Sequence, residues 1–291
     1  MQRAVRKVLR AVADYDPDYY DMHEDANEAL FARLYVERIV REAAEAGIHP
    51  PATEPGAPGS ARGGEGSAGV GGRPRPTLLE AGCQAGRLVI PFAKLGFDVT
   101  GIDTSGFALR RARNHAKAAG VEATWLQGDL LAVLSREPRR QYDVVVCAEV
   151  VYLSPAYREM LQVLAAAVRP GGLLCVSHRP KLYYLLEALR QYDVTTAAEV
   201  FARSEGPFRE SAYFNWQTEE ELRELYRSMG MEWRAIYPID RLAWLSGVSP
   251  VTLSEEQRQQ WVQMELGLAA QTGPWARYLL VIVGKPELKG A

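Results

Sequence analysis

The sequence predicts a doubly wound α/β fold, and three observations carry that prediction. From Thr77 onward, short β-branched or apolar runs alternate with helical stretches, the pattern of a parallel sheet with helices on both faces. The first run ends in a glycine turn, Gly82-Cys83-Gln84-Ala85-Gly86, that opens a helix. The second ends in an acid, Asp103, 21 residues after Gly82. Right-handed crossovers then place a ligand crevice at the carboxyl ends of the strands.

In chain order, Arg3, Arg6, Lys7 and Arg10 alternate with Val5, Val8, Leu9 and Val12 at helical spacing, which predicts a short amphipathic surface helix. A second helix is expected over 23–46, stopped by Gly47 and the Pro50-Pro51 pair. Residues 1–49 thus form an N-terminal helical cap. Residues 50–76 turn to Gly, Pro, Ser and Ala with Val70 as the sole large aliphatic residue, a flexible linker that lets the cap fold back over the core.

The main domain, 77–291, follows. Strands are expected over 77–81, 97–102, 122–126, 143–147 and 173–177, with helices over 85–95, 105–119 and 155–168. Past Ser177 a helix is expected over 181–192, an irregular stretch to Pro207, a segment at 211–218 and a helix over 219–229. Strands at 232–237 and 278–283 close the chain. Between them, 240–275 reads as an insertion with a helix over 254–268. Twelve of the 27 aromatic residues fall between Tyr183 and Trp244, so this part holds either a secondary core or an aromatic-lined pocket.

Composition narrows the partners. The 291 residues are 47% hydrophobic with a formal net charge of −2, so there is no overall positive field to collect nucleic acid or an anionic membrane surface. No run of 18 apolar residues occurs, so no membrane-spanning helix is expected. Cys83, Cys147 and Cys175 form no C-x-x-C pair, which argues against a disulfide framework or a zinc site and for a reducing, cytoplasmic setting. His23, His49 and His115 fall in the cap, the linker and a surface helix, and no metal cluster is expected.

Gly82 and Gly86 present no Cβ, so the backbone there can turn tightly and approach a ligand. Asp103 is spaced to accept both hydroxyls of a ribose, which points to a nucleoside ligand. The dinucleotide fingerprint G-x-G-x-x-G laid from Gly82 requires glycine at Gln84 and Arg87 and finds neither, which disfavours a nicotinamide dinucleotide. A ligand without phosphate, with a cationic amino acid end near Glu80, fits better.

These residues resemble the class I methyltransferase family, whose first motif reads E/D-x-G-x-G-x-G at the end of the first strand. Glu80, Gly82 and Gly86 match it, Asp103 matches the acidic end of the second strand, and Gly128-Asp129-Leu130 matches the loop after the third. Further matches are Tyr142 to Cys147 for the fourth strand, Arg169-Pro170-Gly171-Gly172 before the fifth, and Phe214-Asn215-Trp216 with Thr218 to Leu222 and Gly230 in the late segment. The resemblance covers roughly 77–238. It departs at the middle glycine, which is Gln84 here, so that side chain must turn away or change how the methionine end is held.

The resemblance implies a seven-stranded, mainly parallel sheet with an antiparallel last strand, the N-terminal helical cap and a C-terminal-half insertion, with cap segments near 179–217 and 240–275. It implies S-adenosylmethionine as cofactor, with Glu80, Gly82, Cys83 and Gly86 at the methionine end, Asp103 and Thr104 at the ribose, and Gly128, Asp129 and Leu130 at the adenine. Cys147, Ala148 and Glu149 would lie beside the sulfonium, and Tyr20, with Tyr15 and Tyr19, would close over the cofactor. Asp129 also reads as a helix cap.

The expected activity is methyl transfer to an O or N atom of a small, partly apolar acceptor selected by the aromatic cap, by a monomer or homodimer. Alignment of nucleophile, methyl and sulfur is the main task, and a base is optional. His178 is the best placed, followed by Glu149 and Tyr152. Two alternatives remain open. One is an RNA-modifying enzyme using Arg110, Arg111, Arg113, Arg136, Arg139 and Arg140, and the other a cofactor-binding protein without turnover, for which Gln84 is the motive.

Overall fold

In a computed structural model, residues 26–50, 74–136, 140–209, 211–268 and 275–287 are described. The short amphipathic helix expected at 1–12, and Tyr15, Tyr19 and Tyr20, lie outside them, as does most of the linker.

Strands β1 (Thr77–Ala81), β2 (Asp98–Asp103), β3 (Thr124–Gln127), β4 (Tyr142–Cys147) and β5 (Val168–His178) are mutually parallel. β8 (Glu232–Ile239) and β9 (Tyr278–Gly284) complete a seven-stranded sheet in the order β3-β2-β1-β4-β5-β9-β8, with β9 antiparallel to both neighbours. The expected architecture is therefore observed. Consecutive strand residues point to opposite faces, and the core divides accordingly. Leu78, Val144, Val146, Cys175, Leu280 and Ile282 join one apolar cluster, while Leu79, Val145, Cys147, Leu174, Val281 and Val283 join the other.

Helix α1 (Ala26–Glu45) lies over the first cluster, burying Leu30, Phe31, Leu34, Tyr35 and Ile39. Arg38 and Glu42 on its inner face reach Leu266 O and the Tyr237 hydroxyl, so it is tied to β8 and to the later insertion. Helix α2 (Val89–Lys94) starts four residues later than the apolar spacing predicts, because residues up to Leu88 are used in the glycine turn. In α3 (Gly106–Ala118) the Ser105 hydroxyl caps the first turn by accepting from Ala108 N at 3.1 Å. Short α4 (Leu130–Arg136) and α5 (Tyr157–Ala167) cover the second face.

Past β5 come α6 (Lys181–Leu189) and α7 (Val194–Ala202), the latter in the stretch expected to be irregular. The hairpin of β6 (Glu205–Phe208) and β7 (Ser211–Asn215) follows. Helix α8 (Glu219–Ser228) opens on a Thr218/Glu221 capping box. The insertion holds α9 (Leu242–Ser246) and α10 (Glu255–Leu268), and α10 packs on α1. No described helix is long and apolar enough to cross a membrane.

The aromatic crowding resolves into a secondary core. Tyr184 stacks with Phe208, Phe214 and Trp216 at centroid distances of 4.9, 5.4 and 5.0 Å. Trp216 is buried and donates through Nε1 to Arg203 O at 2.8 Å and Val200 O at 3.1 Å, so it braces the cap segment from within. Of the two readings of this aromatic segment, the secondary core is the one Trp216 serves.

Candidate functional site

The carboxyl ends of β3, β2, β1 and β4 lie side by side. Register aligns Glu80 with Gly101 and Val146, and Asp103 with Gln127, so the chemistry-bearing residues share one edge. Gly82 and Gly86 hold φ of 84° and 88°. A Cβ on Gly82 would collide with Val150, and one on Gly86 would sit 3.2 Å from the Trp125 ring. Protein side chains thus use the room that the sequence suggests for a ligand.

Gln84 sits at φ 43°, a glycine-like backbone carried by a residue with a side chain. Its Oε1 accepts from Ala85 N at 2.7 Å, so the side chain folds onto its own turn. Its N–H donates to Asp103 Oδ2 at 2.8 Å, and Ser105 N donates to Oδ1 at 2.8 Å. Asp103 thereby couples the glycine turn to the start of α3. Each oxygen of an ionised carboxylate has a further lone pair, so the same group can still accept from a diol.

Glu80 is buried, and its Oε2 has no hydrogen-bond partner among the described residues. Burial raises its pKa to about 8, against the pull of Arg87 and the Val89 N–H and with a push from Asp103. A buried acceptor without a donor calls for a cationic or donor-bearing ligand group. Beside it, Arg87 is gripped by Glu28 of α1 and by Glu149, the latter at 3.0 Å. Glu149 stands at φ 62° and donates its N–H to Ser177 Oγ at 2.5 Å, locking the loop after β4 to β5.

Around this edge, Gly128 N donates to Asp103 O at 3.0 Å, joining the ends of β2 and β3. Asp129 Oδ1 accepts from Leu131 N at 3.0 Å and caps α4, the simpler of its two readings. Leu130, Cys147, Ala148 and Cys83 are buried, Thr104 is exposed, and burial pushes both thiols up so that they stay protonated.

Each of the three candidate bases has a contact within the protein, and His178 Nδ1 is buried without one. Ser177 faces Glu149, so the next residue, His178, points to the opposite face. There Nε2 lies 2.8 Å from the Tyr226 hydroxyl and burial lowers the ring's pKa to about 3. Such an imidazole is a weak base buried against Tyr226, on the face of β5 away from Glu149, and not in the crevice where its place at the strand end would put it. Tyr152 is buried with Arg179 over its ring at 4.7 Å, and burial raises its hydroxyl pKa. The Glu149 carboxylate is held by Arg87.

Comparison with known proteins agrees with this geometry. The profile of the methyltransferase domain family matches residues 78–172, which hold the glycine turn, Asp103, Asp129 and Glu149. A ubiquinone biosynthesis O-methyltransferase of Aeromonas salmonicida (strain A449) is 38% identical over 112 residues, 38% of this chain and 47% of the relative. One of Proteus mirabilis (strain HI4320) is 27% identical over 57% of this chain and 68% of the relative. Residues 78–172 of the chain are thus similar to methyltransferase domains. The matched segment spans about half the length of the first relative. In overall fold the chain is similar to a magnesium protoporphyrin IX methyltransferase of Synechocystis PCC 6803, with TM-score 0.57 and 16% identity over 98% of this chain and all of that one. It is likewise similar to an S-adenosylmethionine-dependent methyltransferase of Clostridium acetobutylicum ATCC 824, with TM-score 0.53 and 10% identity over 98% and 97% of the two chains.

Several charged groups of the chain leave no trace in the sequence. Arg87 follows the glycine turn directly, yet its partner Glu28 is 59 residues away. Arg179 lies among Tyr152, Tyr183 and Tyr278 at 4.5 to 4.8 Å from the ring centres and donates to the Tyr278 hydroxyl at 2.7 Å. Asp240 pairs with Arg277 at 3.4 Å. No local pattern marks such contacts. The arginines that suggested RNA are partly occupied nearby: Arg110 and Arg111 stack on Phe107, and Arg140 on Tyr142. Arg139 lies outside the described residues.

Proposed function

We propose that this chain transfers the methyl group of S-adenosylmethionine to an oxygen or nitrogen of a small, partly apolar acceptor. The observation that carries the reading is the shared edge of Glu80 and Asp103, with one buried carboxylate oxygen lacking a donor and a second carboxylate braced by two backbone N–H groups. These residues fit the two polar ends of such a cofactor. When bound, it supplies an activated methyl on a sulfonium.

Glu80 offers its orphan oxygen to the amino acid end, and Asp103 accepts from the ribose hydroxyls. Gly128, Asp129 and Leu130 border the adenine, and the buried Cys147-Ala148 backbone walls the reacting centre. The Arg87 clamp on Glu28 and Glu149 fixes the β4 loop against α1, and that rigidity serves alignment, the main demand of an in-line displacement. His178 is buried with its pKa lowered to about 3, Glu149 is paired with Arg87 and the Tyr152 hydroxyl is raised by burial, so the chain itself contributes positioning and exclusion of water more than proton transfer. The names of the Aeromonas and Proteus relatives support an oxygen acceptor.

The test is to incubate the protein with methyl-labelled S-adenosylmethionine and a panel of phenols, catechols and amines, following label in product and release of the demethylated cofactor. Label transfer supports the reading. Tight cofactor binding with no transfer to any acceptor class would favour a binding protein.

A further inference from the structure

A cavity of about 360 Å³ lies between the first turns of α1 and the segment after β8, lined by Glu28, Phe31, Asp240, Trp244, Pro250 and Arg277 among others. That volume is at the lower end for small-molecule sites.

Its polar wall is built around Asp240. This residue is 2% exposed, sits at φ 57° and has one carboxylate oxygen facing Arg277 at 3.4 Å. The other, Oδ1, has no hydrogen-bond partner among the described residues. A strained backbone and an unsatisfied buried oxygen at one cavity residue are features that cluster at ligand sites. The apolar wall is equally fixed. Phe31 is buried on α1, and Trp244 stacks on Tyr183 at 5.6 Å while its Nε1 donates to Glu187 at 3.3 Å. The cavity also touches the edge described above, since Glu28 lines it and grips Arg87, whose other branch holds Glu149.

We propose that this cavity is the acceptor subsite and takes a flat, ring-sized molecule bearing a hydroxyl or ammonium group, which donates to Asp240 Oδ1 while its ring lies against Phe31 and Trp244. Arg277 holds the remaining oxygen of Asp240 and keeps the carboxylate oriented. An anionic acceptor group would have to displace Asp240 from Arg277, so the subsite selects donors over anions. The proposal rests on the reading of the carboxyl edge as the methyl-donor site.

The test uses the full chain and calorimetric titration with four probes, 4-ethylphenol, tyramine, 4-ethylanisole and 4-hydroxyphenylacetate, each with and without S-adenosylhomocysteine. Tyramine and 4-ethylphenol should bind, with 4-ethylanisole, which lacks the donor, about tenfold weaker or more. Asp240→Asn should weaken tyramine by about tenfold or more, and Trp244→Ala should weaken all ring probes alike. If Asp240→Asn does not fold, the phenol-to-anisole comparison on the parent still decides. Preference for 4-hydroxyphenylacetate, equal binding of phenol and anisole, or no probe binding beside bound S-adenosylhomocysteine would overturn the proposal. Probe binding by a chain that ignores S-adenosylhomocysteine would instead sink the methyl-donor reading and leave the cavity a binding site.

Discussion

Arg87 and Glu149 meet at 3.0 Å inside the protein, with side chains 6% and 9% exposed, and the pair joins the glycine turn after β1 to the loop after β4. Glu28 completes the cluster from α1. Three charges removed from water are tolerable only while all are paired.

Arg87→Met is therefore expected to lower stability by about 3–5 kcal/mol, because it leaves two carboxylates uncompensated. Glu28→Gln should cost less, since Arg87 keeps Glu149. Urea denaturation of the three proteins measures both, and equal stability of Arg87→Met and the parent would contradict the clamp.

Glu80 carries a pH signature. Its pKa rises from 4.5 in the unfolded chain to about 8 in the ligand-free fold. The contribution it makes to stability is fully present below about pH 4.5 and is lost as pH rises through about 8. Glu80→Gln should flatten that dependence, so the variant gains on the parent as pH rises from 4.5 to about 8, the window set by these two values. A cationic ligand end requires the ionised form, so binding of S-adenosylmethionine at pH 7 should release close to one proton. Titrations in two buffers of different ionisation enthalpy read it directly.

The sequence was most legible where the period was clean. All seven strands of the main sheet are legible, because their apolar runs are separated by helical stretches. Helix α7 was missed because Val194, Thr195 and Thr196 at its start are β-branched; Asp193 nevertheless caps it, accepting from Thr196 N at 2.9 Å. Arg169 to Gly172 precede the regular part of β5: the strand includes them, but the pairing jumps from Tyr142–Val168 to Val144–Leu173 and Gly171 holds φ 73°, so the chain bulges there. Within the site, Glu80 and Asp103 were readable from fixed offsets around a glycine turn. Arg87 with Glu28, and Asp240 with Arg277, were not, since tertiary contacts between distant charged residues leave no local trace. His178 was misleading because its position at a strand end says nothing about which face it takes.

The His178 and Tyr226 contact gives a third prediction. Burial lowers the histidine's pKa to about 3, so the stability it contributes is present above about pH 6.5 and is lost as pH falls toward 3. Tyr226→Phe leaves both ring nitrogens without partners and should cost about 1–3 kcal/mol. His178→Gln should spare the rate of transfer, and a loss on the order of 10²-fold in the folded variant would return His178 to the role of general base.

Gln84 allows a fourth. A left-handed backbone disfavours a residue with a Cβ by about 1–2 kcal/mol, partly offset here by the Ala85 contact. Gln84→Gly should match or slightly exceed the parent in thermal midpoint, whereas Gln84→Val should fall well below it. The reverse order would mean that the side chain, and not the backbone, sets this turn.

The measurement that bears most directly on the central claim is calorimetric titration of the parent and Asp103→Ala with S-adenosylhomocysteine, alongside circular dichroism to show that both are folded. Saturable binding is expected of the parent, weakened about tenfold or more in the variant through loss of the charged acceptor. Unchanged affinity in a folded Asp103→Ala, or no binding by the parent, would contradict the assignment of this edge to the cofactor.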